Sequence, residues 1–179
     1  MRAQNPPFPG KTGGSTASAA MPRQRPAAPL YTPDQRRRRD SSPWTLVQGV
    51  LAPVQFLVFC VSLVLVLRYL ITGAGAEAAT ISIVVKTLTL YTIMVTGSIW
   101  EKVVFDKWLF ADAFFWEDVF SFAVLALHTA YLAALFTGWG TERERMLLAL
   151  AAYATYVINA AQFVLKLRAA RLQSAGAPA

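Results

Sequence analysis

LVQGVLAPVQFLVFCVSLVLVLRYL, residues 46–70, runs from Leu46 to Leu67 without one charged side chain before Arg68 interrupts it. A helix needs about 20 predominantly apolar residues to cross a bilayer, and strands or core helices of soluble domains are usually much shorter. Three further runs of comparable length follow at 78–100, 119–138 and 146–165. The composition agrees: of 179 residues, 55% are hydrophobic and 15% charged, with a mean hydropathy of +0.42. The pattern predicts an all-α integral membrane protein, with four transmembrane helices forming a bundle over residues 44–172.

Residues 1–43 hold most of the ten prolines, interspersed with Gly, Ser and Ala and without apolar periodicity, and they read as a disordered, basic tail. Residues 173–179 form a short C-terminal tail. No apolar core of a cleaved signal peptide follows Met1. PGKTGGST (9–16) is not a phosphate loop, because Asn5 stands where the first glycine of that motif belongs.

The net charge of +7 is concentrated in the tail, including the block Arg36, Arg37, Arg38 and Arg39. Beside a membrane span such a block reads as a topology signal or a contact to anionic lipid, not as a nucleic-acid site. With the tail on one side go Lys102, Lys107, Lys166, Arg168 and Arg171; the other side has Arg68, Arg143 and Arg145. Both termini are therefore expected in the cytoplasm. The lone Cys60 lies in an apolar run and builds neither a disulfide nor a thiolate metal site within one chain.

Polar residues recur at helical spacing inside the spans. Gln48, Gln55 and Ser62 are seven apart near Pro53; Lys86, Thr89, Gly97 and Glu101 fall near one line; Thr155, Asn159, Gln162 and Lys166 follow spacings of four and three. These stripes are expected to face one another. Amides there serve interhelical hydrogen bonds or a bound ligand. A charge in the hydrocarbon is usually kept for a function, although Lys86 can also snorkel to the far surface.

FFWEDVFSFAVLALH (114–128) sets Glu117 and Asp118 ahead of the only histidine, His128. Glu117 and His128 are eleven residues apart and share a helix face with about 16 Å of rise between them. The acids suit the positive end of a helix whatever else they do, and His128 is either a hydrogen-bonded core residue or a ligand or proton donor to something held in the bundle. One histidine excludes a two-imidazole haem or di-metal site within one chain. A flat amphipathic ligand carrying its own metal would suit one axial imidazole and a lining of Trp44, Trp100, Trp108, Trp116, Phe114, Phe115 and Tyr131.

The stretches SPWTLVQGVLAPVQFLVF, SIVVKTLTLYTIMVTGSIWEKVVF, AFFWEDVFS, LALHTAYL and LLALAAYATYVINAAQFVLKLRAARL closely resemble the 3-vinyl bacteriochlorophyllide hydratase family of photosynthetic bacteria. The resemblance runs from about Tyr31 to Leu172. It implies a hydro-lyase of bacteriochlorophyll biosynthesis in the bacterial inner (intracytoplasmic) membrane. Such an enzyme adds water across the ring-A (C3) vinyl group of a 3-vinyl (bacterio)chlorophyllide a and leaves a 1-hydroxyethyl group. The implied partners are the tetrapyrrole, membrane lipid and neighbouring pathway enzymes or a second copy. No cofactor is implied, because the magnesium arrives with the substrate. The sequence before Met21 has no counterpart in the family, which makes Met21 an alternative start, and Asp112 stands where the family pattern has proline.

The catalytic roles follow from the chemistry, not from the resemblance. Hydration of a conjugated vinyl group begins with protonation of its terminal carbon, and water then attacks the ring-stabilised cation. A carboxyl group donates near neutral pH when desolvation keeps its proton on, and Glu101 and Glu117 each directly follow a tryptophan, Trp100 and Trp116. Asp118 is expected to take the proton from the attacking water or to hold a neighbouring carboxyl protonated. Substrate contacts are expected from His128, as a possible axial ligand to the substrate magnesium, and from Trp100, Trp116, Tyr131, Lys86, Asn159 and Gln162; the chain itself is expected to bind no metal of its own. Two other classes stay open. A non-catalytic bacteriochlorophyll-binding or photosystem assembly protein would share the aromatic lining and His128, and a small transporter subunit would use Lys86 and Glu101 but should show an internal inverted repeat.

Overall fold

The structure, a computed structural model, describes residues 30–175, with side chains described through residue 172. Five helices follow one another: α1 (Pro33–Ser41), α2 (Pro43–Thr72), α3 (Ala76–Phe105), α4 (Phe115–Thr137) and α5 (Glu142–Ala175). The last four contain spans long and apolar enough to cross a membrane, so the chain is a multi-pass membrane protein. At 30 residues each, α2 and α3 are about 45 Å long.

Local chemistry sets the helix ends. Thr32 and Gln35 close a capping box ahead of α1, and Ser42 caps α2 by accepting from Trp44 N–H. Gly73 and Gly138 end α2 and α4 at φ 73° and 68°, in the left-handed region where a side chain is disfavoured. Two antiparallel hairpins result, α2 with α3 and α4 with α5, and they close into a bundle through α2 against α5 and α3 against α4.

The bundle is patterned inside out relative to a soluble protein. Leu57, Val61, Val64, Val95 and Val164 are exposed, while Gln55, Ser62, Lys86, Glu101, Glu117, Asp118, His128 and Asn159 are buried. Lipid accepts the aliphatic surface at no cost, whereas buried polar groups need partners within the protein. The apolar part of the core is built from Phe59, Val66, Ile83, Leu90, Val124 and Tyr153.

One boundary differs from the sequence reading. Residues 33–41, read as part of the disordered tail, form a helix, and Tyr31 is buried beneath the Arg39 guanidinium, 4.6 Å from the ring centroid. The capping box and the insertion of Tyr31 among aromatic rings outweigh the poor composition of the segment. Residues 1–29 and 176–179 lie outside the described part of the chain.

Candidate functional site

α3 ends where α4 begins, and this shared end of the bundle gathers three acids. Glu101 lies in the penultimate turn of α3 and Glu117 and Asp118 in the first turn of α4; they are 6%, 7% and 4% exposed. The carboxyl groups of Glu101 and Asp118 meet side chain to side chain. Two carboxyl groups brought this close repel one another unless a proton lies between them.

The loop between α3 and α4 is tied down onto this pair. Ala111 N–H donates to Glu101 Oε2 at 3.2 Å and Phe110 N–H to Asp118 Oδ2 at 2.7 Å. Phe110 has φ 57°, a conformation bulky residues avoid and one the bond to Asp118 helps to fix. Glu117 turns elsewhere, to Lys166 Nζ at 2.6 Å.

Aromatic rings cluster at the same end of the bundle, and Lys166 Nζ, the partner of Glu117, lies 5.1 Å from the Phe114 ring centroid. Trp100 and Phe114 meet edge to face at 5.8 Å, Phe114 stacks on Phe163 at 5.8 Å, and Tyr31 stacks on Phe105 at 5.7 Å. Trp100 is held by its Nε1–H, which donates to Thr45 Oγ1 at 3.0 Å. A cavity of about 470 Å³ adjoins Ala111, with Phe105, Lys107 and Lys166 also in its wall.

Deeper in the bundle the polar residues continue as a column. Asn159 Nδ2 donates to Ser121 Oγ at 2.8 Å, joining α5 to α4. Beyond it lie Lys86 and His128, both fully buried. Lys86 Nζ sits 3.9 Å from the Tyr156 ring centroid and has no hydrogen-bond acceptor among the described residues. His128 Nδ1 lies 2.8 Å from Val124 O, so its N–H donates to that carbonyl, and Nε2 is buried with no hydrogen-bond partner among the described residues. The Tyr153 ring lies 5.8 Å from the imidazole, and its hydroxyl is 2.5 Å from Ser62 Oγ, which is 2.7 Å from Ser82 Oγ.

The predicted residues thus fall into distinct places. Glu101, Asp118, Glu117 and Trp100 come together at the α3–α4 end; Asn159 and Gln162 lie along α5 below them; Lys86 and His128 form a deeper group; Tyr131 is buried one turn beyond His128. Lys86 does not reach toward the surface, because the Tyr156 ring holds its ammonium group inside. Trp116 lies outside the bundle interior: it is 66% exposed, since Glu117 and Asp118 take the inward arc of the first α4 turn. Trp108 and Phe115 are likewise exposed. Sequence reasoning passed over Ser121, Tyr153 and Tyr156, although Tyr156 stands three residues before Asn159 and Ser121 four after Glu117, on faces already marked as polar.

The profile of the 2-vinyl bacteriochlorophyllide hydratase family matches residues 31–169. The chain belongs to this family. Among its relatives, a 2-vinyl bacteriochlorophyllide hydratase of Rhodobacter capsulatus is 72% identical over 146 residues, covering 82% of this chain and 85% of the relative. Another of the same name, from Cereibacter sphaeroides, is 70% identical over 150 residues, covering 82% of this chain and 93% of the relative. No solved structure matches the chain. The family profile begins at Tyr31, the first residue buried in the aromatic cluster, and so includes α1 as well as the four spans.

Proposed function

We propose that the chain is a membrane hydro-lyase that adds water across the ring-A vinyl group of a (bacterio)chlorophyllide, giving the 1-hydroxyethyl product. Relatives 70–72% identical over most of the chain carry the hydratase name, whose "2-vinyl" counts only the pyrrole β-carbons of the macrocycle and denotes the group at C3 in full numbering. The observation that carries the reading is the burial of Glu101 and Asp118 beneath one loop, whose successive amides Phe110 N–H and Ala111 N–H each bond one of the two carboxyl groups. A proton shared by two carboxyl groups is available to an alkene and leaves behind a base.

In this reading Glu101 donates the proton to the terminal vinyl carbon, and Asp118 keeps it in place beforehand. Glu117, engaged by Lys166, is the less available donor. Trp100 lines the reacting edge. His128 offers Nε2 to the substrate's magnesium, its tautomer fixed by Val124 O, and Lys86 and Tyr131 line the deeper part of the bundle. The magnesium belongs to the substrate, and acid, base and water complete the reaction with no other cofactor.

The Lys and Arg distribution supports both termini in the cytoplasm of a bacterial inner membrane. A cysteine placed at residue 75 should then be labelled from the side opposite the C-terminus, and labelling from one side would overturn the orientation. For the activity, membranes containing the protein are incubated with 3-vinyl substrate. Loss of vinyl absorption with a mass gain of one water is expected; unchanged substrate would overturn the reading.

A further inference from the structure

The amide oxygens of Asn159 and Gln162 are buried on α5, one turn apart, and neither accepts a hydrogen bond among the described residues. Asn159 is 8% exposed, and its Nδ2 is committed to Ser121 Oγ at 2.8 Å. Ser121 follows Asp118 by three residues and Glu117 by four, on the same face of α4 and about 5 Å deeper. On α5, Lys166 follows Gln162 by four residues and reaches Glu117. Both open oxygens therefore lie within about two helical turns of the acids. Folded proteins rarely leave buried acceptors unpaired, and a pair of them beside an acid suits a small ligand that brings O–H donors.

We propose that Asn159, with Gln162 beside it, holds the water molecule that is added to the vinyl group. This rests on the hydratase reading. The vinyl π electrons take the proton from the carboxyl pair, forming the terminal C–H bond and leaving a cation on the carbon next to the ring. A lone pair of the held water then forms the C–O bond. One water hydrogen passes to the carboxylate that has just given up its proton; the other stays on oxygen, directed at Asn159 Oδ1. The acid is restored, one water is added, and no oxidant or reductant is required. Amide oxygens suit this role because they accept a hydrogen bond without taking the proton, so they orient water without competing with the carboxylate.

A cation without a placed water has another outlet: it returns a proton from its new methyl group to the carboxylate and becomes vinyl again. In D₂O that return leaves deuterium on the terminal carbon of recovered substrate. The test compares deuterium in recovered vinyl substrate with the amount of hydrated product, using full-length protein in membranes. For Asn159→Leu the ratio of exchange to hydration should rise roughly 10-fold or more, because capture is impaired and protonation is not. Ser121→Ala removes the partner of Nδ2 but leaves Oδ1, so its ratio should stay within about 2-fold of wild type. Exchange and hydration falling together in Asn159→Leu, or Ser121→Ala raising the ratio equally, would overturn the proposal and leave Asn159 as a tie between helices. If the leucine variant does not fold, Asn159→Ala gives the same readout with less bulk. Wild-type protein showing neither exchange nor hydration would instead remove the hydratase reading.

Discussion

Lys166 Nζ lies 2.6 Å from Glu117 Oε2, while Asp118, the very next residue, turns to Glu101. Two adjacent acids in the first turn of α4 thus have separate partners, one cationic and one acidic, and the substitutions that probe them should give different results.

Glu101→Gln keeps the shape of the side chain and removes the ionisable proton. Turnover should fall by roughly 100-fold or more while pigment binding, followed by absorption, persists. Glu117→Gln should cost less, and Asp112→Asn should be nearly silent, because the Asp112 side chain is 94% exposed and pairs with Lys107 across the surface. An active Glu101→Gln enzyme would move the donor to another acid.

The side chains of Lys166 and Glu117 are 28% and 9% exposed, so removing either one strands the other in a mostly dry site. Lys166→Met should lower stability by about 2 kcal/mol, and adding Glu117→Gln should recover part of that loss. Thermal unfolding in detergent, run as a double-mutant cycle, measures the coupling.

Lys86 bears on a different question, that of a buried amine with no hydrogen-bond acceptor among the described residues. With the Tyr156 ring 3.9 Å from Nζ and no hydrogen-bond acceptor among the described residues, Lys86→Met should leave stability unchanged or raise it by about 1–2 kcal/mol. Pigment affinity, measured in the same preparation, should fall. A variant with lower melting temperature and normal affinity would make Lys86 structural.

Replacing His128 should weaken binding more than it slows bound substrate, because a ligand to the macrocycle's metal acts equally in ground and transition states. For His128→Leu, Kd should rise about 10-fold or more with kcat changed less than about 3-fold. The absorption of bound pigment should shift as well, which loss of packing alone would not produce.

Much of this architecture was legible in the sequence, because a bilayer imposes length and apolarity on any segment that crosses it. The run at 46–70 needed no partner to be read as a helix, and the inward stripes followed from 3.6-residue geometry. Less visible was what depends on the chain meeting itself. The bond from Phe110 N–H to Asp118 rests on a left-handed phenylalanine that propensity argues against, and the contact of Glu101 with Asp118 requires the loop to fold back over both. The exposure of Trp116 was equally hidden, because its spacing to Glu117 says they are neighbours in sequence, not on which side of the helix either one faces. Composition hid α1 in the same way, since burial of Tyr31 against Phe105 is a long-range contact.

The length of α3 has a consequence for how the two reactants meet. Centred on a hydrocarbon layer about 30 Å thick, a helix of about 45 Å overhangs by roughly 7 Å at each end. Glu101, four residues from the α3 terminus, then stands near the boundary between acyl chains and headgroups. A greasy macrocycle can stay dissolved in the bilayer and bring only one edge to that boundary. Water and protons reach the same plane from the aqueous phase without crossing the oil. With Glu101 as the proton donor, the membrane would act as the organic layer of a two-phase reaction, and the more polar alcohol would form at the interface from which it can leave.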